Sequence, residues 1–407
     1  MSHAIHDFTA KLRQPSVTES VRAYVRWRRA LGHARAQGLP DPEAPATAPI
    51  SINLDLTTAC NYRCDHCIDW DILNSRHKYA EEELRSSLRL MAERGLRSVI
   101  LIGGGEPTLY PGFAEFVRFL KTLRLQVAVV SNGSRGERLQ DAIGCMEAGD
   151  WIRLSLDAGS NALFIAMHKP VDKKLDLDGI CEWIPRLKAR NPAVRVGFSF
   201  IITWRGAERS GVDVHENIHE IVQATERAKR SGFDYISLKP FLLRSPEGAE
   251  VMDPTAAREE LEAVIRRIRV EVDKAKAFAD GAFDVFESTN LRVLEEGSWK
   301  DYTRQPRVCH MQALRQVLTP TGLYNCPAHR GEEKAKIAGV ASWRDEVSAG
   351  ETGTRLLQLM DRFDASHECR EVTCLYNGVN WWLEKMIEDP REELDLEPGD
   401  ERGDYFL

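Results

Sequence analysis

The chain has 407 residues, 43% of them hydrophobic and 29% charged, with a formal net charge of −7. That is more than one average domain and ample material for a core, which suggests a large α/β domain plus a smaller one. The acidic balance argues against a nucleic-acid surface, which needs a basic face; with no apolar run of about eighteen residues to enter a membrane and no secretion-type core near the start, the expectation is a cytoplasmic protein. Its nine cysteines then read as ligands and free thiols rather than disulfides.

Residues 1 to about 38 read as helical, with Val21, Tyr24, Val25, Trp27 and Leu31 as a broken apolar stripe. The proline-rich run 39–49 cannot continue a helix, so residues 1–49 read as an N-terminal arm and linker packed on the main body. The arginines between Arg22 and Arg35 are spread around the helix, as on a solvated face. From residue 50 to 282 the pattern alternates. Strand-like runs occur at 51–56, 98–102, 126–130, 151–156, 194–202 and 234–238, with helix-like segments at 80–94, 112–123, 139–148, 175–189 and 214–231 between them. Repeated β-α units predict a parallel sheet with its helices outside and a site at the C-terminal ends of the strands. Residues 253–280 read as a charged helical bridge. A second domain, 283–388, contains a hairpin predicted from Gln312–Leu318 and Leu323–Cys326 around Pro320-Thr321-Gly322. The acidic segment 389–407 reads as a mobile tail that can serve as a lid.

Cys60, Cys64 and Cys67 form a C-x3-C-x2-C loop directly after the first strand. Three thiolates on one short loop can hold three corners of an iron-sulfur cube, and with no fourth cysteine nearby one iron is left open to bind a substrate. Zinc is the alternative, although its usual patterns pair two knuckles or add distant histidines. Gly103-Gly104-Gly105-Glu106-Pro107 follows the second strand, and its glycines let backbone approach a ligand closely. Taken alone, it is a plain β-α turn.

Together the two motifs resemble the radical S-adenosylmethionine (SAM) superfamily. The resemblance implies a (β/α)6 partial TIM barrel whose open iron chelates SAM and whose reduced 4Fe-4S cluster cleaves it to methionine and a 5′-deoxyadenosyl radical. By the same resemblance, the backbone of Gly104 and Gly105 meets the SAM amino group while Glu106 and Pro107 fix the turn. His66 takes the position of a residue that contacts adenine, with a surface imidazole as the alternative. Asn132, Ser155 and Asp157 would bond the ribose or methionine part; as isolated residues they equally suit turns and helix caps. Lys169 stands where relatives place an arginine for the SAM carboxylate, and offers a point charge in place of a fork.

Cys309, Cys326, Cys369 and Cys374 give C-x16-C-x42-C-x4-C in the C-terminal region. Four thiolates suffice for a second cluster, and the arrangement looks like a twitch form of the SPASM-type extension, although Gly322 to Cys326 is one residue shorter than the usual G-x4-C. A four-cysteine zinc site, with His310, His329 and His367 nearby, is the rival. Cys145 and Cys181 read as packing thiols on outer helices, with hydrogen-atom donation as the other use; Asn380, Trp381 and Trp382 read as packing. The implied function is hydrogen abstraction from a small polar metabolite (a sugar, aminocyclitol or nucleoside) with net oxidation or epimerisation, fed by a flavodoxin- or ferredoxin-type reductant. A maturase acting on a ribosomal peptide and a non-enzymatic electron carrier are the alternatives.

Overall fold

The protein is described by a computed structural model covering residues 7–252, 260–391 and 396–407. The expected six strands are present as β1 (Ser51–Leu54), β2 (Ser98–Leu101), β3 (Gln126–Ser131), β4 (Trp151–Ser155), β5 (Arg195–Ile202) and, after a two-residue hairpin β6 (Glu208–Arg209) and β7 (Val212–Asp213), β8 (Tyr235–Pro240). A second short hairpin, β9 (Leu243–Arg244) and β10 (Glu250–Val251), follows at the C-terminal end of β8. Then come β11 (Asp284–Glu287), β12 (Arg315–Thr319), β13 (Gly322–Tyr324) and β14 (Lys336–Ala338). One sheet contains ten of these strands in the order β11-β8-β5-β4-β3-β2-β1-β12-β13-β14. It is parallel from β11 to β12 and antiparallel through β13 and β14.

Residue 283, the expected domain boundary, is therefore not a break in the sheet. β11 adds a seventh parallel strand beside β8, and the predicted hairpin joins the first strand, with Ile52 opposite Gln316. Alternation explains the layers. Ile52, Leu54, Val99, Leu101, Val127, Val129, Ile152, Leu154, Phe198 and Leu238 are buried in one core, each contributing about 1.5–3 kcal/mol.

The helices are α1 (Phe8–Leu12), α2 (Pro15–Ala36), α3 (Glu81–Glu93), α4 (Phe113–Thr122), α5 (Gly136–Ile143), α6 (Asn161–His168), α7 (Leu177–Cys181), α8 (Ile184–Arg190), α9 (Ile221–Ser231), α10 (Leu261–Lys276), α11 (Thr289–Glu296), α12 (Met311–Leu314), α13 (Glu346–Arg362), α14 (Ala365–Glu368) and α15 (Asn377–Glu388). The single helix predicted over 175–189 is two, because Pro185 lacks the N–H that would bond Cys181 and its ring crowds that carbonyl. The bridge helix predicted over 253–280 is α10; residues 253–259 lie outside the described part. The arm lies against the C-terminal helix, where Val21, Val25 and Leu31 of α2 share a core with Leu383 and Met386 of α15.

The acidic tail differs from expectation. Residues 396–407 pack under the N-terminal end of the sheet, opposite the expected site. Tyr405 N–H donates to Gln126 Oε1 at 2.9 Å, Ser98 Oγ donates to Tyr405 O at 2.7 Å, and the Phe406 ring centroid lies 5.4 Å from that of Trp151. Leu396, Phe406 and Leu407 are buried, and these apolar residues outweigh the acidic composition that suggested a mobile lid.

Candidate active site

The cysteine loop leaves β1 at the C-terminal end of the sheet and is tied to α6. Arg63 N–H donates to His168 O at 3.0 Å and Asp65 N–H to Met167 O at 2.9 Å. α6 ends there because Lys169 turns left-handed, with φ of 46°, and Pro170 cannot continue it. That stop places His168 Nδ1 3.2 Å from Cys64 Sγ. On the other side, the Asn74 side chain accepts from Cys60 N–H at 3.1 Å. All three thiols line one cavity of about 750 Å³ that runs from the mouth of the curled sheet through its interior to Phe406 and Leu407 at the opposite end. Burial pushes each of them up, Cys67 to about 12, and the neighbouring thiol charges raise Cys64 further. A cationic cluster would remove that penalty, since metal binding takes thiolates.

The glycine loop lines the same cavity. Gly103 and Gly104 have φ of 77° and 61°, the left-handed region that favours glycine. A Cβ on Gly105 would lie 2.5 Å from Thr57 O and 2.6 Å from Ala59 O, so the loop fits the cysteine loop only without a side chain. Glu106 is buried and accepts from Thr108 N–H, Thr108 Oγ1, Ser131 Oγ and Asn132 N–H at 3.0, 2.6, 2.7 and 2.6 Å. It stitches β2 to β3 and has no role left as a direct ligand contact.

The other expected residues divide. His66 Nε2 lies 3.0 Å from Asp157 Oδ2, while its buried Nδ1 has no partner in the cavity wall. Asp157 also accepts from Ile201 N–H at 2.6 Å and faces His168 Nε2 at 3.4 Å. Burial alone would raise this carboxyl, but the His66 hydrogen bond and the two imidazoles bring it below its usual range. Burial, together with His66, holds His168 neutral by pushing it down to about 4, and its Nε2–H donates to Leu156 O at 2.9 Å. Asp157 is thus a support for the two histidines rather than a free ligand group. Asn132 Nδ2 donates to Asn61 Oδ1 at 3.0 Å, and its Oδ1 accepts from Ser134 N–H at 3.0 Å. Ser155 faces the cavity. Lys169 does not: its ammonium pairs with Asp65, off the cavity wall, because the left-handed turn that positions His168 carries the next side chain outward.

Cys309, Cys326, Cys369 and Cys374 converge on a second cavity of about 180 Å³ that shares Glu250, Arg315 and Tyr376 with the first. Burial pushes Cys309 up to about 12, and the other thiols add to the rise of Cys369 and Cys374. Of the three nearby histidines, His329 lines that cavity, with Nε2 3.5 Å from Cys369 Sγ. His310 turns to Tyr24 and Glu384, and His367 is exposed beside Glu368. Among the described residues neither thiol set brings three ligand atoms within 4.8 Å of one another. A tetrahedral zinc with bonds of about 2.3 Å holds its sulfurs about 3.8 Å apart, so the wider spacing suits a multi-iron group.

Sequence reasoning missed the charges between the two cavities. Arg330 Nη1 donates to Asp69 Oδ2 at 2.7 Å and lies 3.4 Å from Asp55 Oδ2. Glu250 faces the same group, and burial, partly offset by Arg330, raises Asp55 to about 8 and Glu250 to about 7. Arg153 and Lys239, inside the barrel, were also missed. The signal was present: each falls on the inward alternate of its strand. No helix among the described residues is long and apolar enough to cross a membrane. Cys145 and Cys181 lie off both cavities, and Cys181 is packed in the main core.

Comparison with known proteins agrees with this geometry. Residues 54–216 match the Radical SAM superfamily. The chain is 34% identical over 109 residues to an S-adenosylmethionine-dependent nucleotide dehydratase of a Thermoplasmatales archaeon, covering 26% of this chain and 38% of that protein. It is 32% identical over 133 residues to the GTP 3′,8-cyclase of Chlorobaculum tepidum, covering 31% and 39%. The chain therefore matches little more than a third of the length of these relatives. A mycofactocin maturase, MftC of Mycobacterium ulcerans, is 27% identical and covers 52% of the chain and 53% of its own length. Among solved structures, Streptococcus suis SuiB bound to S-adenosylmethionine covers 79% of this chain and 70% of its own with a TM-score of 0.52 at 14% identity. Native anSMEcpe with bound AdoMet covers 77% and 83% with a TM-score of 0.51 at 14% identity. Residues 54–216 are thus similar to the radical SAM superfamily, and the fold of most of the chain is like that of SuiB and anSMEcpe.

Proposed function

We propose that the protein is a radical SAM oxidoreductase that takes a hydrogen from a small polar metabolite and passes an electron to a second cluster. The observation that carries this reading is that Cys60, Cys64, Cys67 and the Gly103–Glu106 loop line one cavity with the polar interior of the barrel. A four-iron cluster with one open iron, when bound with SAM, supplies reductive SAM cleavage and hydrogen abstraction from an unactivated carbon. The chain's own residues hold and enclose that chemistry. The three thiols hold the cluster, Gly105 gives SAM close backbone, and His66 offers its unpartnered Nδ1 to the nucleoside. Cys309, Cys326, Cys369 and Cys374 would hold the second cluster, next to the substrate cavity, where it would accept the electron as the substrate loses a proton.

The test is anaerobic reconstitution followed by dithionite and SAM, with 5′-deoxyadenosine and methionine measured by chromatography. Wild type should form both and Cys60→Ala neither. A fully iron-loaded wild type that forms no 5′-deoxyadenosine would overturn the reading and leave the electron-carrier alternative. The fold likeness to SuiB, also solved bound to its precursor peptide SuiA, favours a peptide-modifying maturase as a second reading. Saturable calorimetric binding of a ribosomal precursor peptide would select it.

A further inference from the structure

The interior of a closed parallel barrel is ordinarily filled by bulky branched side chains. Here, three neighbouring strands point polar groups inward. β4 contributes Arg153 and Ser155, β5 contributes Ser199, and β8 contributes Ser237 and Lys239, with Ser155, Ser199 and Ser237 at one level of the register. One level lower, Gly197 leaves room for the Tyr235 ring, whose atoms would be 2.1 Å from a Cβ there. That ring narrows the chamber, with Arg195 over it at 5.0 Å, and the cavity continues past it to Trp151, Phe406 and Leu407.

Arg153 and Lys239 both line this chamber. Among the described residues neither enters an ion pair. The hydrogen bond from the Lys239 ammonium reaches Ser199 Oγ at 3.5 Å, and Arg153, its guanidinium 4.8 Å over the Trp151 ring, keeps a buried Nε without a hydrogen-bond partner. Two cations in a shielded space normally bring their counter-ions with them, because a buried unpaired charge is costly. Burial pushes Lys239 well down and the charge of Arg153 adds to that. Asp157 is the carboxylate whose field reaches Lys239, and it is already held by His66 and the Ile201 N–H.

We propose that Arg153 and Lys239 form a phosphate-binding subsite inside the barrel, and that the substrate is a phosphorylated small molecule whose phosphate docks between them. A planar guanidinium and a point-charge ammonium, ringed by serine hydroxyls, match a dianion with several acceptor oxygens better than a single carboxylate. The phosphate sits deep in the barrel and leaves the rest of the molecule directed at the mouth, where Cys60, Cys64 and Cys67 lie. The inference rests on the radical SAM reading for its substrate but not for its binding site.

The experiment is calorimetric titration of inorganic phosphate into the reconstituted, SAM-bound protein at constant ionic strength set with chloride. Saturable binding is expected in wild type, weakened at least tenfold in Lys239→Met and in Arg153→Met, largely retained in Lys239→Arg and unchanged in Lys300→Met, a surface control. Equal iron content and thermal midpoints establish that the variants are folded; should the methionine variants not fold, wild type and Lys239→Arg decide alone. Absence of saturable binding in wild type overturns the subsite, as do equal affinities in all variants, tighter binding of acetate than of phosphate, or displacement of phosphate by SAM. Formation of 5′-deoxyadenosine in the same preparation separates the two ideas. Its presence without phosphate binding removes only the subsite, and its absence with phosphate binding removes only the radical reading.

Discussion

Arg330, four residues beyond Cys326, donates from Nη1 to Asp69 Oδ2 at 2.7 Å, two residues beyond Cys67. Asp69 Oδ2 also accepts from Gly104 N–H at 3.1 Å, and a Cβ on Gly103 would lie 2.1 Å from the guanidinium. One buried arginine thus joins the two cysteine regions and the glycine loop, and Gly103 is the residue that lets it in. Removing the cation leaves Asp55, Asp69 and Glu250 together without it. Arg330→Met should therefore lose about 3–5 kcal/mol of stability, the range for breaking a buried pair from one side. Chemical denaturation of the variant checks this; a loss under about 1 kcal/mol would show that the pair carries little.

The same group sets a pH dependence. Burial raises Asp55 from 3.8 to about 8 and Glu250 from 4.5 to about 7, with Arg330 opposing in both cases. The folded state therefore holds these protons more tightly than the unfolded chain. Their contribution to stability is complete below the unfolded values and is lost as pH rises through the folded ones. Thermal midpoints should fall between about pH 4 and 8 in wild type, level off above that, and fall less in Asp55→Asn. Parallel profiles for the two proteins would contradict the assignment.

The strand runs and the parallel β-α pattern were legible in the sequence because they rest on local signals: alternation and β-α spacing. Long-range relations were not. Nothing near Arg315 announces that its strand pairs with Ser51, and nothing near Arg330 names Asp69 as its partner. Composition misled at the tail, where a few apolar residues decide the packing of a mostly acidic segment. Lys169 was misread for a different reason. Its distance from the cysteine loop in sequence fits a SAM contact, but one left-handed residue at the end of α6 reverses the direction of its side chain.

Iron content separates the two thiol sets. With a cubane at each, wild type should carry about eight irons per chain, and Cys60→Ser or Cys374→Ser about four each. The two variants should differ in function: Cys60→Ser forms no 5′-deoxyadenosine, whereas Cys374→Ser still cleaves SAM but fails to release oxidised product. Iron and sulfide analysis with product chromatography measures both. Loss of all iron in either variant would mean that the sites do not load independently.

Gly105→Ala tests the fit between the glycine and cysteine loops most directly. The new methyl would meet two backbone carbonyls, those of Thr57 and Ala59, at 2.5 and 2.6 Å. Backbone atoms cannot swing aside as a side-chain end can, so the loops must separate. Overpacking of this kind costs about 1–3 kcal/mol. The displacement moves the backbone expected to meet the SAM amino group and the segment carrying Cys60 together. The variant should load iron at the second site, bind SAM at least tenfold more weakly by calorimetry, and form correspondingly less 5′-deoxyadenosine at fixed SAM. Raising the SAM concentration should recover part of the rate, because the thiols remain and their placement is what has shifted. A variant with wild-type SAM affinity would mean that the glycine loop does not contact SAM in this protein.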